Sequence, residues 1–133
     1  MAKLKCHCGH IIVDQSDNLP YKGYIISDTE LESVSSVLTD AIDSLSTATQ
    51  QSKRLEWIKG KFAVPPYPID ISDSAMIHDI ISDLLVDKKQ DIFECENCGR
   101  IAIEVGQTNH FKFYKPEHED AKGILGGQNL QPT

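Results

Sequence analysis

Four cysteines fall into two tight clusters near opposite ends of the chain, and they constrain its folding more than any other feature. Cys6 and Cys8 sit in Lys5-Cys6-His7-Cys8-Gly9-His10, and Cys95 and Cys98 sit in Glu94-Cys95-Glu96-Asn97-Cys98-Gly99-Arg100. Each cluster ends in glycine, which supplies a backbone conformation that a side chain would oppose. A close cysteine pair on such a loop presents two thiolates on one side. Two loops facing each other make a tetrahedral all-cysteine pocket suited to zinc. The expectation is a Zn2+ ion held by Cys6, Cys8, Cys95 and Cys98. It places residue 6 beside residue 98 and turns everything between into an insertion.

Catalytic zinc keeps an open position beside three protein ligands, and four cysteines leave none, so the ion is expected to be structural. The first knuckle is Cys-x-Cys, one residue shorter than the second. That departs from the usual turn and leaves His7 or His10 open as a replacement ligand, although Cys8-Gly9 matches Cys98-Gly99 in register. A redox Cys-x-x-Cys usually opens a helix, whereas β-branched residues follow here.

A chain of 133 residues is read as a single domain, 1–133, large enough to bury a core beside the metal. The N-terminus lacks the apolar segment of a secretory signal, and no apolar run matches a membrane span. The expected location is cytoplasmic, where reduced thiols favour metal over disulfides. The formal charge is −7, and four thiolates around a divalent ion would take it to −9. Between residues 70 and 96, Asp70, Asp73, Asp79, Asp83, Asp87, Asp91, Glu94 and Glu96 face only Lys88 and Lys89. A surface built to hold nucleic-acid phosphates needs the reverse balance.

The fold class expected is α+β: a small antiparallel zinc-ribbon sheet, its halves at about 3–26 and 91–115, with two to three helices inserted at about 28–89. Residues 3–14 read as a hairpin around the first knuckle, and Tyr24-Ile25-Ile26 as a short extended piece. Ser27 with Glu30 fits a capping box. Leu31, Val34, Val37, Leu38, Ala41, Ile42 and Leu45 then form an inward stripe, with the polar run 44–52 fraying or turning. Lys53 to Lys59 reads as a second helix ended by Gly60, and the prolines of 64–68 exclude regular helix. Ser72 opens a third helix that buries Ile77, Ile80, Ile81, Leu84 and Leu85. Strands follow at 92–93, 101–105 and 110–114. In the tail, Ile124-Leu125 is a docking candidate and the last residues read as loose.

Little points to catalysis. His7, His10, His78, His110 and His118 fall in no triad pattern, and there is no phosphate loop and no zinc-protease or nucleophile-elbow motif. Asp79, Asp83 and Asp87 lie four apart on one helix face, and Glu32, Asp40 and Asp43 on another. Such a ridge is either a solvated face or a surface for a basic partner, since like charges at this spacing repel.

The pattern Cys6-x-Cys8-Gly9-His10-x-Ile12-x-Asp14, Asp17-x-Leu19-Pro20-Tyr21-Lys22, Cys95-x-x-Cys98-Gly99-Arg100 and Phe113-x-x-Pro116-Glu117 resembles a set of small bacterial zinc-ribbon proteins, most of unknown function. Some small acidic bacterial proteins of this kind resemble immunity proteins of polymorphic toxin systems. The resemblance implies no catalytic residues. Together with the missing catalytic motifs, the closed metal site and the acidic surface, it leads to the expectation of a non-enzymatic protein that neutralises a cognate toxin, a basic protein domain, by direct binding, with no nucleic-acid or membrane partner. The contact residues expected are Asp79, Asp83 and Asp87, then Glu32, Asp40 and Asp43. A zinc-ribbon regulator or adaptor of transcription or translation is the alternative, with Lys3, Lys5, Lys53, Arg54, Lys59 and Lys61 as its basic surface. A metalloenzyme with a Cys/His site and a bound water is the third reading.

Overall fold

The computed structural model describes residues 3–62, 67–118 and 123–125. The proline-rich stretch at 64–66 and the tail residues 126–133 lie outside them. The chain is α+β, with three helices and antiparallel sheets. It divides into two units, Met1–Ile26 with Lys89–Thr133, and Ser27–Lys88.

The first unit contains two separate sheets rather than one. Strands β1 (Lys3–Lys5) and β2 (Ile11–Val13) form a hairpin, with Leu4 opposite Ile12. Strands β3 (Lys22–Ile25), β4 (Gln90–Glu94), β5 (Ile101–Glu104) and β6 (Phe111–Tyr114) form a four-stranded sheet in that order. Strand β3 pairs with β4 across the whole inserted segment, Ile25 lying opposite Gln90. Ala102 lies between Phe93 and Phe113 in register and is fully buried. A small side chain there lets two aromatic neighbours flank it. The core of this unit joins Ile12, Phe93 and Ala102 to Cys6 and Cys95, with Leu4, Tyr21, Phe111 and Phe113 packed around them.

In the second unit, helix α1 (Asp28–Gln50) starts where the sequence places it, with the Ser27 hydroxyl accepting from the Glu30 amide at 3.2 Å. It does not fray at 44. Leu45 is buried with the stripe, and buried Ala48 extends it by a turn. The stripe is also narrower than the periodicity predicts. Val34, Ala41, Leu45 and Ala48 are buried, but Leu31, Val37 and Ile42 are exposed, Leu31 by half. Apolar spacing marks a face; how much of it is covered depends on the neighbouring helices.

Helix α1 ends in a Schellman motif. The amide of Ser52 reaches the Thr49 carbonyl at 3.2 Å, and that of Lys53 reaches the Ala48 carbonyl at 2.7 Å. Ser52 has φ +59, the left-handed region where glycine is usual. Helix α2 (Arg54–Lys61) follows and runs one residue past Gly60. The indole of Trp57 donates to Ser44 of α1 at 2.7 Å. Helix α3 (Asp73–Lys88) is capped by Ser72, whose hydroxyl accepts from the Ala75 amide at 3.2 Å. Its fully buried residues are Met76 and Ile80; Ile77, Ile81, Leu84 and Leu85 are only half-buried. Met76 joins Leu45 and Ile58 at the centre of the helical core, beneath Trp57, Phe62, Tyr67 and Ile71. A thioether fills such a junction because it is unbranched and adaptable.

Two substitutions test this account in urea titrations. Ser52→Gly should raise stability by about 1 kcal/mol, because a serine in the left-handed region carries a cost that glycine does not. Met76→Ala should lower it by about 2–5 kcal/mol through the cavity left behind.

Candidate metal centre

Each knuckle is closed by its own backbone. In the first, the Gly9 amide reaches the Cys6 carbonyl at 3.0 Å and the Cys6 amide reaches the His10 carbonyl at 2.9 Å. In the second, the Gly99 amide reaches the Cys95 carbonyl and the Cys95 amide the Arg100 carbonyl, both at 2.8 Å. The first loop is therefore one residue tighter, and its Cys-x-Cys spacing is taken up inside the turn. Gly9 has φ +100 and Gly99 φ +81, so both glycines are needed where the chain turns back.

The hairpin carrying the first knuckle is tied down by the segment leading into β3. Tyr21 donates its hydroxyl to the Val13 carbonyl. Lys22 bonds both oxygens of Asp14, at 3.0 and 3.1 Å. The Glu94 amide, one residue before Cys95, donates to the Tyr21 carbonyl at 2.8 Å. The same short segment thus grips both knuckle-bearing strands.

The result brings all four cysteines together. Sγ of Cys6 lies 3.6 Å from that of Cys98, Sγ of Cys8 lies 3.6 Å from that of Cys95, and all four atoms fall within 4.8 Å of one another. None is in a disulfide. Metal–sulfur bonds of about 2.3 Å in a tetrahedron require sulfurs about 3.8 Å apart. The two pairs at 3.6 Å are close to that spacing, and the cluster can hold a metal ion. Neither histidine of the first knuckle belongs to it: the His7 ring packs at a tilt of 32° against Phe113, with centroids 4.5 Å apart, and His10 is not part of the group.

The sulfurs differ in environment. Burial pushes Cys95 up to about 12 and raises Cys6 as well. The Asn97 side-chain amide, 3.5 Å from the Cys8 sulfur, and the His10 backbone lower Cys8 to about 6. Burial works upward on Cys98, but the backbone and guanidinium of Arg100, the latter 3.4 Å away, bring it below its ordinary value. Asn97 and Arg100 are thus donors to sulfurs of the cluster, of the kind that would orient and stabilise thiolates at a metal. The Cys8–Asn97 contact crosses from one knuckle to the other, which spacing along the chain did not reveal.

The acidic residues singled out in the sequence lie in the helical unit. Asp79 is half-buried and accepts from the Tyr67 hydroxyl at 2.8 Å, so it is already engaged. Asp83 and Asp87 are exposed beside a cavity of about 170 Å³ lined also by Lys61, Phe62, Ile80 and Leu84. Glu32, Asp40 and Asp43 are exposed on α1, and Asp43 borders an open groove with Trp57. Of the basic residues considered, Lys3 and Lys5 belong to the sheet unit and Lys53, Arg54, Lys59 and Lys61 to the helical unit. Arg54 is paired with Asp73 at 3.0 Å. Among the described residues, no helix is long and apolar enough to cross a membrane.

A family model described as a domain of unknown function, DUF8617, matches residues 2–118, and the chain belongs to that family. Neither the curated proteins nor the solved structures contain a match.

Protonation gives this site a direct test. With Cys6 and Cys95 protonated at pH 7, metal uptake should release at least those two protons. Below about pH 6 Cys8 must lose its proton too. Affinity should therefore fall as pH falls, and more steeply below that point. Calorimetric titration in buffers of different ionisation enthalpy reads the proton count.

Proposed function

We propose that this member of the DUF8617 family is a non-enzymatic binding protein: a structural zinc fastens its sheet unit, and its acidic helical unit engages a basic protein partner, a bacterial toxin domain that it neutralises. Segregation of charge supports the reading most. Ser27–Lys88 carries 11 acidic and five basic residues, a net −6, against −7 for the whole chain. Asp83, Asp87, Glu32, Asp40 and Asp43 are exposed there. Toxin domains that cleave nucleic acid hold phosphates with basic surfaces, and an acidic body can occupy such a surface and accelerate encounter with it.

The four sulfurs support zinc and a closed site. Soft thiolates in a tetrahedral set select zinc or iron–sulfur centres. An ion held by all four would have no position left for water or substrate. Cys6, Cys8, Cys95 and Cys98 would hold it, and its contribution would be folding free energy rather than chemistry.

Two measurements test the proposal. Purified protein should contain one zinc per chain, and metal analysis that finds none removes the structural half. For the partner half, the protein should bind the toxin domain encoded beside it and protect cells that produce that toxin. Asp83→Lys with Asp87→Lys should slow association by about tenfold or more and flatten its dependence on salt. Nucleic-acid binding in a gel shift at moderate salt, without protection, would favour the regulator instead.

A further inference from the structure

Glu94 is the one charged residue among the buried side chains described, with 4% of its surface exposed. Among the described residues its carboxylate has no cationic partner. It is met instead by three successive backbone amides of the C-terminal segment. Those of Gly123 and Ile124 point at Oε2, the second at 3.2 Å, and that of Leu125 points at Oε1 at 3.0 Å. Three consecutive N–H groups converge this way only when the chain forms a concave nest, and Gly123 has the φ of +80 that permits it. The Leu125 side chain comes down over Gly23 of β3, beside Ile92 of β4, where a Cβ on the glycine would lie 3.7 Å from it. One carboxylate and one glycine gap therefore seat a tripeptide.

The seat lies immediately before a metal ligand. Glu94 is bonded through its amide to Tyr21, and the next residue is Cys95, 1% exposed. If the segment leaves, a buried carboxylate loses all three donors, which is costly in a site that water reaches poorly. The end of β4 then gains by opening, and it carries Cys95 with it.

We propose that Gly123–Leu125 is a strap whose seating on Glu94 is thermodynamically linked to metal retention at Cys95. The strap holds the second knuckle closed, and the metal, by fixing Cys95, holds the seat in place. Such linkage is reciprocal. It adds a role for residues beyond 118, where the family match ends. The proposal rests on the zinc reading of the four cysteines.

The test uses the full-length zinc-loaded protein and follows zinc release to a chromophoric chelator. Leu125→Asp breaks the seat from the tail, and Glu94→Gln breaks it from the sheet. Each should speed release by about fivefold or more, a typical coupling between sites. The double variant should match the faster single one, because both unseat the same strap. Hydrogen exchange at amides 123–125 should rise in all three. Leu125→Ala replaces Leu125→Asp if that chain fails to fold. Release that stays short of about fivefold in the tail variant overturns the strap. So does a double variant whose acceleration is the product of the singles, since Glu94 would then act on Cys95 directly. Protein that takes up no zinc overturns the zinc reading and the linkage together, whereas unchanged release from loaded protein overturns the linkage alone.

Discussion

The approach of the two knuckles is the constraint on which the sheet unit depends. Cys6 and Cys98 are 92 residues apart in sequence and 3.6 Å apart at their sulfurs. Cys6 and Cys95 are also members of the hydrophobic core, in contact with the group that contains Ile12, Phe93 and Ala102. The cysteine cluster and the apolar core are therefore one structure. Two of the sulfurs are buried where a bare thiolate is disfavoured, and two lie where Asn97 and Arg100 favour it. A cation held there would resolve that tension by making negative charge acceptable at all four.

A layer of contacts behind the sulfurs fixes the loops that carry them. The Asp14–Lys22 pair and the Tyr21 hydroxyl hold the first hairpin, and the Tyr21 carbonyl receives the amide just before Cys95. Surface ion pairs contribute little on their own, but both members of this one are largely shielded and Lys22 also lies over the Phe93 ring, 5.4 Å from its centre. Asp14, Tyr21 and Lys22 stood in the sequence as an unexplained spaced pattern. They tie down the hairpin that carries Cys6 and Cys8.

Much of this was readable from residue order because it is local. The Cys-Gly register, the Ser27 cap and the alternation of Phe111-Lys112-Phe113-Tyr114 all depend on near neighbours. What escaped depends on remote ones. Leu31, Val37 and Ile42 share the periodicity of Val34 and Leu45, and only the width of the covering helices separates exposed from buried. Met76 looked like one apolar residue among many until three helices met over it. Ser52 carries no glycine to announce a left-handed helix end. Glu94 is chemically indistinguishable, in a list of acids, from the solvated aspartates nearby. Its burial follows from a segment about 30 residues further on. The acidic ridge was legible as a pattern, but not the Tyr67 hydroxyl that occupies its first member.

Because Ile25 and Gln90 are cross-strand neighbours, the polypeptide departs from the sheet and rejoins it at adjacent positions. The segment in between behaves as a cassette. Its length and contents can change at little cost beyond loop closure, which grows only slowly with length. The cysteine-bearing frame and the inserted body can therefore diverge at different rates, and a change in the insertion need not touch a single cysteine.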